Sequence, residues 1–397
     1  VTGQDLIMGR RFITMFAASL VVVGLFVPVV HHLRSSSPAG PAGPPAGIPV
    51  PGPLTTSSTN YIGDPDIVAV PAAASPTGRA GYVLFSTSDY IANVPTEWST
   101  DLRHWTQLPD ALPDSPEWSD RRNANTKTWS PSVMFIDGRW VMYVTTRDFT
   151  AGRQCIAVAV AEHPAGPYRP VGAGPRVGPV GVGGGGGPGG SSDPDGGRAA
   201  GGQLERAWKS DGDAIRIRTS LWSQELAPDG LSLEGAPNLL LQSDARWEQG
   251  NIEAPELVPA SGAGWWLFYS GSQWDRPRSY ATGLAWCADL AGTCQAVGQG
   301  PWLAGSVPRA VAPGGLDVFT TLAGRTEMAV STLSWIRWSF GGHHWYGWNR
   351  NLLVSALDLG GNTVHTVADG HTVHTVADGH TVHTVDRGRG LLGRKAT

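Results

Sequence analysis

The sequence predicts an all-β fold: a five-bladed β-propeller preceded by an N-terminal hydrophobic signal or anchor and a Pro/Gly-rich linker. Three observations predict it. A glycine followed by a short, mostly apolar run recurs at Gly81, Gly138, Gly202, Gly264 and Gly324, at spacings of 57, 64, 62 and 60 residues. A proline stands before each of them (Pro65, Pro131, Pro194, Pro255 and Pro313), by 16, 7, 8, 9 and 11 residues. Past the linker, no stretch holds a 3.6-residue apolar period long enough for a helix of several turns. A period near 60 with several short strands per unit fits blades that bury their faces against their neighbours. A pair of β-sandwiches would leave the even spacing unexplained.

Composition agrees and excludes other classes. Gly (53) and Pro (31) make up about a fifth of the 397 residues, too much turn chemistry for a helical bundle. A net charge of −4 argues against a nucleic-acid binder, which carries a basic excess or stripe. Three Cys exclude both a disulfide-dense scaffold and a zinc ribbon. The 17 Trp suit flat or ring-shaped ligands as well as a core.

In chain order, residues 1–34 read as a signal peptide or membrane anchor. Arg10 and Arg11 precede the uncharged run Phe12 to Val30, which is just long enough to span a bilayer. The reading is export, with the body outside the cell or on its surface. Residues 35–56 form a Ser/Pro/Gly-rich linker of extended character. Residues 57–360 hold the propeller, with a Gly-rich insertion at 171–202. Residues 361–397 form a tail of nine-residue copies ("HTVHTVADG") expected to be disordered, with five of the eleven His. Pairs such as His371 with His374 have metal-like spacing, but no Cys or carboxylate cluster completes a site. Cys287 and Cys294 bracket a short loop that a disulfide could close, in keeping with export.

In a propeller the innermost strand of each blade starts at one mouth of the central channel, so the residues beside the five prolines are neighbours in space. They are Asp64, Ser130, Asp193, Glu253 (two before Pro255) and Ala312. Three carboxylates thus converge on one mouth. Facing carboxylates repel when ionised, so a proton is kept near neutrality. Glycosidic cleavage needs this combination of a protonated acid and an ionised base.

At these residues the chain resembles glycoside hydrolase family 43. "GDPDIV" resembles the first-blade motif, and "EWSTDLRHW" resembles the substrate-facing loop segment after it. "TWSPSVMFIDGRWVMYV" resembles the second blade, and "CIAVAVAEHPAGPY" follows it in the family's order. "WKSDGDAI" and "IEAPEL" resemble the third and fourth blades. The likeness runs from about Tyr61 to Leu357. It implies that Asp64 is the base that activates water, that Glu253 is the acid, and that Asp193 orients and tunes that acid. The family inverts configuration, so base and acid should stand about 6.5–9.5 Å apart with water between them. Asp66 and Glu256 are the competing choices in their motifs: Asp66 deeper on the same strand face, Glu256 holding a turn. Trp129 either stacks on a sugar face or packs between blades.

The chain departs from the family in two places within the propeller. After Asp193, "PDGGRAAGG" holds no strand former, so blade three is expected to fray and to hold Asp193 poorly. In blade five both family histidines are missing, with Gly315 and Ser331 or Thr332 near their places. No cofactor or metal is required by this reading, and the loss of the histidines argues against calcium. The function implied is an exported inverting glycosidase on plant or microbial arabinose- or xylose-containing glycans. Its preferred form is an exo-acting α-L-arabinofuranosidase or β-xylosidase. The alternative is a catalytically impaired, cell-surface propeller that binds glycan through Trp. A retaining five-bladed family fits less well, because "EAP" stands where such families show "EC".

Overall fold

Runs such as Gly81–Phe85 and Trp265–Gly271 are buried at every residue, with no polar alternate face. A strand reads this way when it is covered on both sides. In the computed structural model such strands lie in the middle of antiparallel sheets arranged as five blades, four of them four-stranded and the fifth five-stranded. The structure describes residues 49–360, apart from 52–54, 59, 90, 121–127, 179–188, 200, 213–214, 261–262, 306–310 and 341–342. It also describes tail segments Val367–Asp369, Thr372–Ala377 and Thr381–Asp386. The hydrophobic run 12–30 and most of the linker lie outside the described residues.

Blade one is Asp66–Val70, Gly81–Phe85, Thr96–Ser99 and Thr106–Gln107. Blade two is Trp129–Ile136, Arg139–Arg147, Gln154–Ala161 and Arg169–Val171. Blade three is Ser191–Arg198, Leu204–Ser210, Ser220–Leu226 and Leu233–Gln242. Blade four is Ile252–Pro259, Trp265–Gly271, Ala281–Cys287 and Gln295–Ala296. Blade five combines Gly314–Thr320, Thr326–Phe340 and His343–Asp358 with two N-terminal strands, Val50–Pro51 and Thr55–Ser58. These last pair with His343–Asp358, Val50 opposite Asp358 and Thr55 opposite Val354. The propeller therefore begins ahead of residue 57, inside the stretch read as linker. Joining an N-terminal strand to the last blade closes the ring and covers an edge that would otherwise be open.

Each interface between blades is a separate apolar cluster. Phe85 and Trp98 meet Val133 and Met142 between blades one and two. Tyr143 and Ile156 meet Leu204 and Trp208 between two and three. Ala207 and Leu221 meet Leu257 and Trp265 between three and four, and Trp266 and Phe268 meet Met328 and Leu353 between four and five. Tyr82 and Leu84 meet Phe319 and Val354 to close the circle. Many of the Trp thus serve packing rather than ligands.

A ring of polar side chains joins the inner strands at the axis. Asp66 Oδ2 accepts from the Val133 N–H at 3.0 Å, Ser132 Oγ from Gly196 at 3.1 Å, and Asp195 Oδ2 from Leu257 at 2.8 Å. Glu256 Oε1 accepts from Val318 at 3.0 Å, and Asp317 Oδ2 from Ile67 at 2.9 Å. Every blade thereby holds the next through one side chain: Asp66, Ser132 and Asp195 stand two residues past Asp64, Ser130 and Asp193, Glu256 three past Glu253, and Asp317 five past Ala312. The competing carboxylates of the sequence reading, Asp66 and Glu256, belong to this ring, and Glu256 clamps blade five rather than a turn.

Burial pushes the ring carboxyls up, Asp66 to about 8 and Asp195 to about 6, with Glu256 and Asp317 also well above their usual range. The folded ring therefore holds protons that the unfolded chain, titrating near 4, has released. Its contribution to stability is complete below about pH 4 and is lost as pH rises towards 8. The thermal midpoint should fall between pH 5 and pH 8. Asp66→Asn, which keeps an acceptor for Val133, should flatten that fall. A variant with the wild-type slope would remove Asp66 from this account.

Blade three does not fray. Ser191–Arg198 forms a strand paired along Leu204–Ser210, with Ser191, Ser192, Pro194, Asp195 and Gly197 buried. Its glycines are required by close packing, not tolerated in spite of it. A Cβ on Gly196 would run into Met134 and stand 3.2 Å from Tyr143 of blade two. A Cβ on Gly197 would stand 3.3 Å from Trp265 of blade four. Low strand propensity is outweighed here because the strand is wedged between two bulky neighbours. The tail also forms strands, an antiparallel three-stranded sheet in which Val373 faces Val385. The alternating β-branched residues of "TVHTV" suit that conformation better than the disorder expected of a repeat.

Candidate active site

Four inner strands open with a residue in the left-handed region directly before the proline: Asp64 (φ 45°), Ser130 (50°), Asp193 (52°) and Ala254 (48°); in blade five the equivalent residue is Gly315 (57°), before Leu316, and not Ala312, which lies ahead of the strand. Such backbone costs about 1–3 kcal/mol per non-glycine residue and persists where surroundings enforce it. In blades two to five the strand pairing slips at this point, so each of these openings is a bulge. A bulge re-aims the side chains beside it. The repeated left-handed kink is what brings residues at the starts of five strands to one mouth. Ala254 takes the position equivalent to Asp64 and Asp193, and Glu253 lies one residue earlier. Gly315 completes the mouth, because a Cβ there, at φ 57°, would stand 2.6 Å from Asp64 Oδ1.

Asp64, Asp193 and Glu253 line one cleft of about 840 Å³, together with Trp129. Asp66 and Glu256 instead line a second cavity, of about 30 Å³, whose wall Asp64 and Ala254 share with the cleft. Asp64 Oδ2 accepts from Thr87 Oγ1 at 2.6 Å, and Thr87 Oγ1 in turn accepts from the Ser130 N–H at 3.1 Å. Burial pushes the Asp64 carboxyl up, against the charge of Arg350 and the Thr87 hydrogen bond. The Asp193 N–H donates to Thr145 Oγ1 at 2.9 Å, and Asp193 Oδ2 accepts from the Ala254 N–H at 3.2 Å. Asp193 is therefore tied to the strand that carries Glu253. Burial pushes it up to about 8, against Lys209 and with help from the Glu253 and Asp64 charges. Trp129 is half-buried and opens the inner strand of blade two.

Glu253 is held by three donors. Lys209 Nζ lies 3.0 Å and Asn251 Nδ2 2.9 Å from Oε2, and the Tyr280 hydroxyl donates to Oε1 at 2.9 Å. Burial raises its pKa, but the Lys209 charge and these hydrogen bonds win, and Glu253 sits below the usual carboxylate range. Glu253 and Lys209 form a buried ion pair. The cleft thus sets carboxyls with raised affinity for protons beside a carboxylate kept ionised, close enough to feel one another's charge.

The sequence reading missed Lys209, Asn251, Tyr280, Trp274, Trp348 and Arg350. Lys209 left a signal, a charge near the end of a buried second strand, but one it shares with Glu205 and Arg206. Arg350 left none, since it comes from far along blade five. Its guanidinium donates to Ser331 Oγ at 2.8 Å and to the Trp274 carbonyl at 3.0 Å, and lies 5.4 Å from the Trp274 ring centre. This bears on calcium. Where family histidines would stand, Ser331 Oγ is engaged by Arg350 and donates to the Ile62 carbonyl, and Gly315 offers no side chain. Among the described residues no three His, Cys, Asp or Glu side chains group to hold a metal ion. The Ser331 acceptor at the mouth is thus taken by the Arg350 guanidinium rather than left open to a metal ion.

The model of the glycosyl hydrolases family 43 matches residues 73–360. The chain belongs to glycosyl hydrolase family 43. Family 43 structures share its fold. A thermostable family-43 glycoside hydrolase aligns with a TM-score of 0.60 at 20% identity, over 89% of this chain and 99% of that one. An endo-arabinase from Bacteroides thetaiotaomicron aligns at 0.57 and 17%, over 76% and 95%. An α-L-arabinofuranosidase from Lactobacillus brevis aligns at 0.53 and 15%, over 75% and 90%. Among curated proteins, an extracellular endo-α-(1→5)-L-arabinanase of Thermotoga petrophila is 29% identical over 103 residues, which is 22% of this chain and 20% of that protein.

Proposed function

We propose that this family 43 protein is an exported, inverting glycosidase acting on arabinose- or xylose-containing plant or microbial glycans. Its reaction is exo cleavage of a terminal arabinofuranose or xylose. The observation that carries the reading is the convergence of Asp64, Asp193 and Glu253 on one aromatic-lined cleft. Ionised Asp64 takes a proton from water as the water oxygen bonds to the anomeric carbon. Glu253 gives its proton to the departing glycosidic oxygen, whose bond to that carbon breaks with its electron pair. Asp193 stays beside Glu253 and sets where the shared proton rests. Arabinanase and arabinofuranosidase relatives support the sugar class. The Cys287–Cys294 disulfide, the uncharged run 12–30 and the extracellular relative support export.

One observation favours the second reading, a glycan-binding propeller with impaired turnover. The Lys209 ammonium opposes protonation of the residue that must act as acid. The test is incubation with p-nitrophenyl α-L-arabinofuranoside and β-D-xyloside, with the anomer of the first product followed by proton NMR. Release with inverted configuration is expected. Retained configuration would remove Asp64 as a water-activating base, and no release beside measurable oligosaccharide binding would favour the second reading.

A further inference from the structure

The second and third strands of blade five are 15 and 16 residues long, against at most 10 in the other blades' described strands. Register shows where the extra length goes. Gly314, at the mouth beside Asp64, pairs with Ser331, which pairs with Leu352. From there the two strands stay paired past the mouth, from Thr332 opposite Asn351 to Phe340 opposite His343. At about 3.3 Å per residue the hairpin projects about 30 Å outward on the cleft side.

Trp335 and Trp348 face each other across this hairpin, roughly 13 Å beyond Ser331. Their rings meet edge to face, with centres 5.1 Å apart. Trp335 is 58% exposed and Trp348 45%. Trp348 also lines the cleft, as does Trp274, which is 52% exposed. Indole rings thus line the cleft that holds the carboxylates and also stand on the projecting arm. The pair packs on itself yet still leaves large indole faces in water, and the C–H faces of sugar rings stack on indole.

Building on the glycosidase reading, we propose that the Trp335–Trp348 pair is a glycan subsite. It holds a sugar unit of an arabinan- or xylan-type chain beyond the unit being cleaved. The substrate is then an oligomer or polymer several pentoses long, and affinity grows with chain length until the arm is filled.

The experiment measures binding of linear arabino- and xylo-oligosaccharides of one to six units to the full chain carrying Glu253→Gln, by calorimetry. Trp335→Ala in that background should lower affinity for the longest oligomers about tenfold and leave the shortest unchanged, and Trp335→Phe should restore most of the loss. Equal loss at every length, or no loss, overturns the subsite. So does a change in sedimentation without a change in sugar binding, which would make the arm a contact between copies. If the protein neither binds nor hydrolyses any of these sugars, the glycosidase reading fails with it. If it binds them regardless of length, the subsite alone fails.

Discussion

Replacing Asp64 by Asn is expected to lower hydrolysis of every substrate by about 10²–10⁴-fold, because the amide cannot take the proton from water. Glu253→Gln should behave differently according to the leaving group. A sugar alkoxide must be protonated as it departs, so cleavage of arabino- or xylo-oligosaccharides should fall by a similar factor. p-Nitrophenolate leaves as a stabilised anion and needs little help, so the aryl glycoside should retain far more of its rate. The contrast separates base from acid within one pair of variants. Equal losses on both substrates for Glu253→Gln would strip it of the acid role. Thermal unfolding of each variant provides the control. Glu253→Gln keeps one acceptor, for Tyr280 or for Asn251, and loses the charge that pairs with Lys209, and Asp64→Asn keeps an acceptor for Thr87.

Much of this site was legible in the sequence because the repeat made it so. A left-handed residue before proline recurs in four of the five blades, and the even glycine spacing turned residues such as Asp64 and Asp193 into neighbours. What the repeat did not convey was which carboxylate of each motif faces which cavity. Asp64 and Asp66 are two residues apart, yet one lines the cleft and the other clamps blade two. The left-handed kink at Asp64 decides this, and the packing of neighbouring strands around the mouth enforces it. Propensity misled at Ser191–Arg198 for a similar reason. The glycines read as weak strand formers, but their worth lies in what they allow Met134, Tyr143 and Trp265 to occupy. The N-terminal strand of blade five was hidden because its partner, His343–Asp358, lies at the opposite end of the propeller's sequence. Arg350 and Lys209 were out of view because no motif marks a charge whose meaning is the field it makes at a carboxylate in another strand or blade.

That field leads to the second large effect. Lys209→Met is expected to raise hydrolysis on the alkaline side rather than lower it. Above the pKa values of both Asp64 and Glu253, the enzyme able to react is the small fraction in which Glu253 still carries its proton. That fraction grows tenfold for each unit by which the Glu253 pKa rises. Burial already pushes Glu253 up, and the Lys209 ammonium is the largest influence holding it down. Without the ammonium the Glu253 pKa climbs, so kcat/KM should increase on the alkaline side, above the titration of Asp64, whose own pKa Lys209 also holds down. Leaving one member of a buried pair without its partner costs about 3–5 kcal/mol if the remaining charge persists. Protonation of Glu253 relieves that cost, so the destabilisation of Lys209→Met should itself shrink as pH falls. A parallel drop in rate at every pH would show that Lys209 works by holding substrate or structure. Unchanged inactivity in both proteins, with oligosaccharide still bound, would show that the ion pair is not what stands between this propeller and turnover.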